Sequence, residues 1–131
     1  MDGKLTQVIV VVKDQDAALK FYTEKVGLEK KTEYSVPGSP RWVTVALKGQ
    51  EVELSLFQHG SVTAPDSNTG HLAVGNCSMT ITVADCRKTY EELRGRGIQF
   101  RAPPSDQPWG TYVAFSDPDG NQFTLLQPKK W

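Results

Sequence analysis

The sequence predicts an α+β fold of two tandem βαβββ modules, their curved half-sheets surrounding a shared cavity. Three observations carry that prediction. Val12-Lys13-Asp14 returns as Val83-Ala84-Asp85 at an offset of 71 residues. The glycine that ends each helical stretch, Gly27 and then Gly97, recurs at an offset of 70, so the second helix is one residue shorter. The chain closes on a hairpin, Phe115-Ser116-Asp117-Pro118-Asp119-Gly120-Asn121-Gln122-Phe123-Thr124-Leu125. There Pro118 presets one turn dihedral and Gly120 supplies the positive φ that reverses the chain. A half-sheet of this size, with a helix on one face, is more stable packed against a second one.

In order along the chain, Leu5 to Val12 is rich in β-branched residues and predicts a buried strand. Asp14 is the preferred cap of the helix that follows, with Asp16 as competitor. Ala18, Phe21, Tyr22 and Val26 mark its apolar face, and Gly27 supplies the left-handed stop. Leu28 to Tyr34 resumes as a strand, and Val36-Pro37-Gly38-Ser39-Pro40 is a loop by composition. Strands at Arg41–Leu47 and Glu51–Gln58 follow, turned at Lys48-Gly49-Gln50. The polar stretch 59–77 has no sustained period and reads as a linker or flap. Module 1 then covers about residues 4–58 and module 2 about 78–128.

In the second module, Ser78 to Val83 is a strand and Asp85 a helix cap. Cys86, Tyr90 and Leu93 form the helix's apolar face. Ile98 to Arg101 predicts a short strand, and Ala102 to Gly110 a loop containing Pro103, Pro104 and Pro108. Two strands joined by the closing hairpin end the module. Phe57, Phe115 and Phe123 are assigned to the core. The charged residues Lys20, Glu24, Lys25, Lys88, Glu91, Glu92, Arg94 and Arg96 read as solvated helix faces.

Composition narrows the function classes. Fifteen basic and fifteen acidic residues cancel in a chain of 131, which disfavours nucleic acid or an anionic membrane as partner. No apolar run has the length of a membrane span, and the start MDGKLTQ has no signal-peptide core. Cys77 and Cys86 match no zinc pattern, and a reduced, cytoplasmic setting is expected. The expected partner is a small molecule.

The segments VKDQDAALKFYTEKVGL and FSDPDGNQFTLLQP, in this duplicated arrangement, resemble the vicinal oxygen chelate superfamily. That group contains glyoxalase I, bleomycin-resistance proteins, extradiol dioxygenases and related enzymes. TVADCRKTYEELRGRGIQF followed by QPWG is similar to glyoxalase-like proteins of unassigned substrate. The resemblance implies a homodimer. It also implies a divalent ion held between half-sheets by one residue from the first and one from the fourth strand of each module. The matching positions here are Gln7 and Glu53, then Ser78 and Thr124.

Gln7 and Glu53 are hard oxygen donors, but Ser78 and Thr124 offer neutral hydroxyls, which bind divalent ions poorly. No cofactor is therefore expected, with a divalent metal as the alternative. In that alternative His59, which shares strand parity with Glu53, joins Gln7 and Glu53, and His71 can fold over the mouth from the flap. Without metal, Glu53 has three roles open to it: a general base with a raised pKa, a recognition group, or a carboxylate bonded to Gln7 or Ser78.

Trp42 and Trp109 each follow a Pro-containing loop in comparable places of the two modules, and Tyr112 begins the next strand. Such aromatics at a cavity rim can stack on a planar ligand. Arg41 is a further candidate for an anionic group. The leading expectation is a bleomycin-resistance-like binder that sequesters a small, planar ligand over a degenerate metal site. The competing one is a metal-dependent lyase, isomerase or dioxygenase using Glu53. Loss of binding in Trp109→Ala marks the first, and loss of turnover in Glu53→Gln the second.

Overall fold

In the computed structural model, residues 1–37, 40–59 and 74–129 are described. The flap from 60 to 73 with His71, the loop residues Gly38 and Ser39, and the tail Lys130-Trp131 lie outside them. The described residues form two four-stranded sheets. The first contains β1 (Gln7–Val12), β2 (Glu29–Tyr34), β3 (Trp42–Ala46) and β4 (Glu53–Gln58), in the order β1-β4-β3-β2. The second contains β5 (Ser78–Thr82), β6 (Ser105–Gln107), β7 (Gly110–Ser116) and β8 (Gln122–Pro128), in the order β5-β8-β7-β6. Each sheet pairs its first and fourth strands in parallel, and its other pairs are antiparallel. The predicted duplication is present as two sheets of one topology.

Helix α1 (Gln15–Lys20) starts where expected: the Asp14 carboxylate accepts from the backbone N–H groups of Asp16 and Ala17. From Phe21 to Val26 the helix widens to π spacing, which the sequence pattern did not predict. Gly27, at φ 91°, and Leu28 both donate to the Tyr22 carbonyl. The wide turn lets the adjacent Phe21 and Tyr22 both bury their rings. Helix α2 (Cys86–Gly95) is capped by Asp85, whose carboxylate accepts from Lys88 N–H at 3.0 Å. Asp85→Ala is expected to cost about 1 kcal/mol in urea unfolding; an unchanged midpoint would contradict this cap.

One strand is not where the pattern placed it. Ile98–Arg101 makes only an isolated bridge, Phe100 to Phe115, and the ladder resumes inside the predicted loop as β6. Pro103 and Pro104 carry no N–H to donate, so pairing stops at them and restarts at Ser105.

The alternation of the strands separates two faces. Val10, Val12, Val43, Val45 and Leu56 turn to the helix side of the first sheet. Val113, Phe115, Phe123 and Leu125 do so in the second, and all belong to one contiguous core with Tyr22 and Leu93. The edge-on contact of Tyr22 with Phe123, at 5.6 Å between ring centres, crosses from one half to the other. The helix-bearing faces of both sheets therefore share the core, and their opposite faces look outward. Within one chain, among the described residues, those opposite faces do not enclose a common cavity.

Polar bonds reinforce the joint. Tyr22 Oη donates to Asp117 Oδ2 at 2.5 Å, and Asn121 Nδ2 donates to the Val11 carbonyl. Lys13 N–H donates to Asp119, and Arg96 to the Val26 carbonyl.

Candidate functional site

The outward face of the first sheet carries Gln7, Trp42, Thr44, Glu53, Ser55 and Phe57. Gln7 and Glu53 are direct partners in the β1–β4 register, so their side chains stand side by side. The half-buried Glu53 carboxylate accepts the Thr44 hydroxyl proton at 2.6 Å. Its partner is thus a neighbour within its own sheet, neither Gln7 nor Ser78. Ser55 is fully buried, and its hydroxyl has no hydrogen-bond partner among the described residues. Trp42 sets its ring edge-on to Phe57 at 5.9 Å, so Phe57 is buried on this face and not in the shared core.

On the second sheet, the outward face carries Ser78, Thr80, Tyr112, Ala114, Gln122 and Thr124. Ser78 pairs with Gln122, and Thr124 pairs with Thr80 and Ala114. Matching this register to the first sheet gives β4 and β8 an offset of 69, not 71. The counterpart of Glu53 is Gln122, and the counterpart of Thr124 is Ser55. Sequence counting missed both Gln122 and Ser55 because insertions between strands shift the number but not the pairing. By the same register Trp42 corresponds to Tyr112, and Trp109 is an addition at the β6–β7 turn. Trp109 stacks on Tyr112, with ring centres 5.3 Å apart and planes at 26°, and stays half exposed.

No group of three or more His, Cys, Asp or Glu side chains is close enough to hold an ion among the described residues. By this register, two outward faces opposed across an interface would combine one carboxylate (Glu53) with two amides (Gln7 and Gln122) and one hydroxyl (Ser78), a donor set with a single negative charge for a divalent ion. His59 is exposed beyond the end of β4. It lies six residues past Glu53, about 20 Å along an extended strand, so the two cannot share an ion.

Two cavities are prominent. The larger, about 450 Å³, opens on the second sheet. It is bordered by the segment 99–103, between the Phe100 bridge and β6, and by β7. Phe100, Tyr112 and Phe115 give it aromatic walls, and Gln99, Ser105 and Gln122 add neutral polar groups. The smaller, about 190 Å³, is an apolar cleft between the halves, walled by Val8, Leu54, Met79, Ile81 and Phe123. Gln7, Glu53, Ser78 and Thr124 line neither one. Of the residues singled out from the sequence, only Tyr112 lies in a cavity wall.

The remaining candidates are structural. Arg41 is held by Asp16 at 2.7 Å and Glu33 at 2.7 Å, which leaves it committed within the first half. Arg87 holds Asp106 in the same way in the second half. Hydrogen bonds from Arg87 and then Thr111 keep the Asp106 carboxyl at about 2. Cys86 is buried in the core, and burial pushes its thiol pKa up. Burial, then the Asp117 charge, raises Cys77 as well.

Among the described residues no helix is long and apolar enough to cross a membrane. A sequence profile of the Glyoxalase/Bleomycin resistance protein/Dioxygenase superfamily matches residues 4–125. The YetH protein of Bacillus subtilis (strain 168) is 32% identical over 97% of this chain and 100% of its own length. The crystal structure of UcmS2 superposes with a TM-score of 0.82 at 36% identity, covering 96% of this chain and 98% of that one. That of TnmS3, described as an antibiotic binding protein from Streptomyces sp. CB03234, gives a TM-score of 0.81 at 29% identity, covering 98% of each chain.

Proposed function

This chain belongs to the Glyoxalase/Bleomycin resistance protein/Dioxygenase superfamily, and within it we propose that it sequesters a small planar molecule without the help of a metal. The observation that carries the reading is the 450 Å³ cavity, with aromatic walls and neutral polar groups, in a chain whose matching ligand positions are poor in metal donors. Its volume suits a ligand of two or three fused rings. The likeness to TnmS3, described as an antibiotic binding protein, extends the candidate ligands to antibiotics.

Titration with planar aromatic probes, followed by quenching of tryptophan fluorescence, tests this. Tyr112→Ala is expected to weaken binding by about 10-fold or more, since stacking and buried area are lost together. Chelator should leave the affinity unchanged. Affinity that collapses on chelation and returns with nickel, zinc, manganese or iron(II) would overturn the metal-free reading.

The functional unit in this reading is a homodimer. Among the described residues β1 and β5 each stand at an edge of their sheet, and the outward face of the second sheet is exposed at Ser78, Thr80 and Gln122. A second copy can bring the first sheet of one chain against the second sheet of another. Light scattering is expected to give about 29 kDa, twice the chain mass of 14.5 kDa; a monomer at low micromolar concentration would contradict it. Two free thiols in the chain suit a reducing compartment such as the cytoplasm.

A further inference from the structure

The larger cavity has a charge as well as a shape. The chain holds five arginines, and four have partners. Arg41 meets Asp16 and Glu33, Arg87 meets Asp106, Arg94 meets Glu91, and Arg96 reaches a backbone carbonyl. Arg101 has neither an ion pair nor a side-chain hydrogen bond among the described residues, and it forms part of the cavity wall. It is the only charged residue in that wall; every other lining residue is apolar or neutral.

The nearby carboxylate on β6 does not cancel it. Asp106 has the opposite strand parity from Ser105 and is taken up by Arg87 and Thr111. The chain is neutral overall, so this positive charge is local to the cavity mouth and not a property of the whole surface.

We propose that the cavity selects aromatic anions, with Arg101 receiving a carboxylate or phenolate while the rings lie against Tyr112 and Phe100. This rests on the reading of the cavity as the binding site and adds the ligand's charge class. The planar guanidinium presents paired N–H donors that match a carboxylate, and it does not lose its charge in the ordinary pH range. Placing it beside aromatic walls orders the ligand. The rings enter the cavity, and the anionic edge remains at the mouth, where Arg101 is exposed.

The test uses two probes of nearly equal shape, 2-naphthoate and 2-naphthamide, titrated into the full-length protein and into Arg101→Gln, Arg94→Gln and Tyr112→Ala. The wild type is expected to prefer the naphthoate by about 5- to 10-fold at low ionic strength, with the preference shrinking in salt. Arg101→Gln should abolish the preference and leave naphthamide affinity within about 2-fold of wild type, the range expected when a partnerless exposed charge is removed. Arg94→Gln should retain the preference, and Tyr112→Ala should weaken both probes.

Equal affinity of the wild type for both probes overturns the anion selectivity while leaving the small-molecule reading intact. A preference that survives in Arg101→Gln overturns the role of Arg101. Binding of neither probe overturns the proposal together with the reading of this cavity as the binding site.

Discussion

Asp117→Ala is expected to destabilise the protein by about 3 kcal/mol or more. Asp117 is buried and its carboxylate gathers four donors. Tyr22 Oη reaches one oxygen at 2.5 Å, and Asn121 Nδ2 reaches the same oxygen at 2.8 Å. The backbone N–H groups of Asp119 and Asn121 each reach the other at 2.9 Å. Removing the acceptor strands all four at a place water does not easily enter. Burial, then the Asp117 charge, raises the Tyr22 pKa far above the ordinary phenol value, so its proton stays in the bond at any working pH.

Tyr22→Phe separates the two jobs of this carboxylate, because it cuts the bond between the halves and leaves the hairpin turn intact. A loss of about 1.5–3 kcal/mol is expected there, the range for a hydrogen bond to a charged group. Urea unfolding measures both. If Asp117→Ala stays within 1 kcal/mol of wild type (about the value of one ordinary hydrogen bond), the hairpin is not a structural anchor.

Phe123→Ala should cost about 3–5 kcal/mol, the usual range for a large aromatic deleted from a core. The ring is fully buried between Tyr22, edge-on at 5.6 Å, and Phe115, stacked at 5.3 Å and 10°. It also walls the 190 Å³ cleft between the halves, so truncation enlarges an existing void that its surroundings have not closed. That places the expected loss toward the upper end. Thr124→Ala, one residue on, turns to the outward face and is expected to change stability by less than about 1 kcal/mol. A comparable loss in both variants would contradict the assignment of the two faces.

Much of the fold was legible because it repeats. Capping by Asp14 and Asp85, the stops at Gly27 and Gly97, and the Asp117–Gly120 turn depend on a few neighbouring residues, and local chemistry decides them. The register between β4 and β8 is a different kind of fact. It is set by which strands pair, so counting from β1 made Thr124 the equivalent of Glu53 when the ladders make it Gln122. Strand β6 was hidden in a proline-containing loop because its pairing is supplied by β7, not by its own sequence.

The candidate site was less legible. Counting put Thr124 at a position that the pairing gives to Gln122, and of the rim aromatics named from the sequence Tyr112 is the one that lines the larger cavity. Arg101 carried no local signal, since an arginine after a short strand is usually solvated; only the inventory of partners in the folded chain sets it apart. Alternation along a strand tells that two faces differ, but not what each face meets. The orientation of the two halves therefore could not be read from the sequence.

Because the halves join through their helix-bearing faces, selection acts on alternate residues of β5, β7 and β8 for different reasons. Met79, Phe123 and Leu125 answer to folding, whereas Ser78, Thr80 and Gln122 are exposed and face away from the core. The larger cavity spans this division: Tyr112, Ser105 and Gln122 can be exchanged with little cost to the interior, whereas Phe115, which walls the same cavity from the core, is bound by the packing it shares with Phe123.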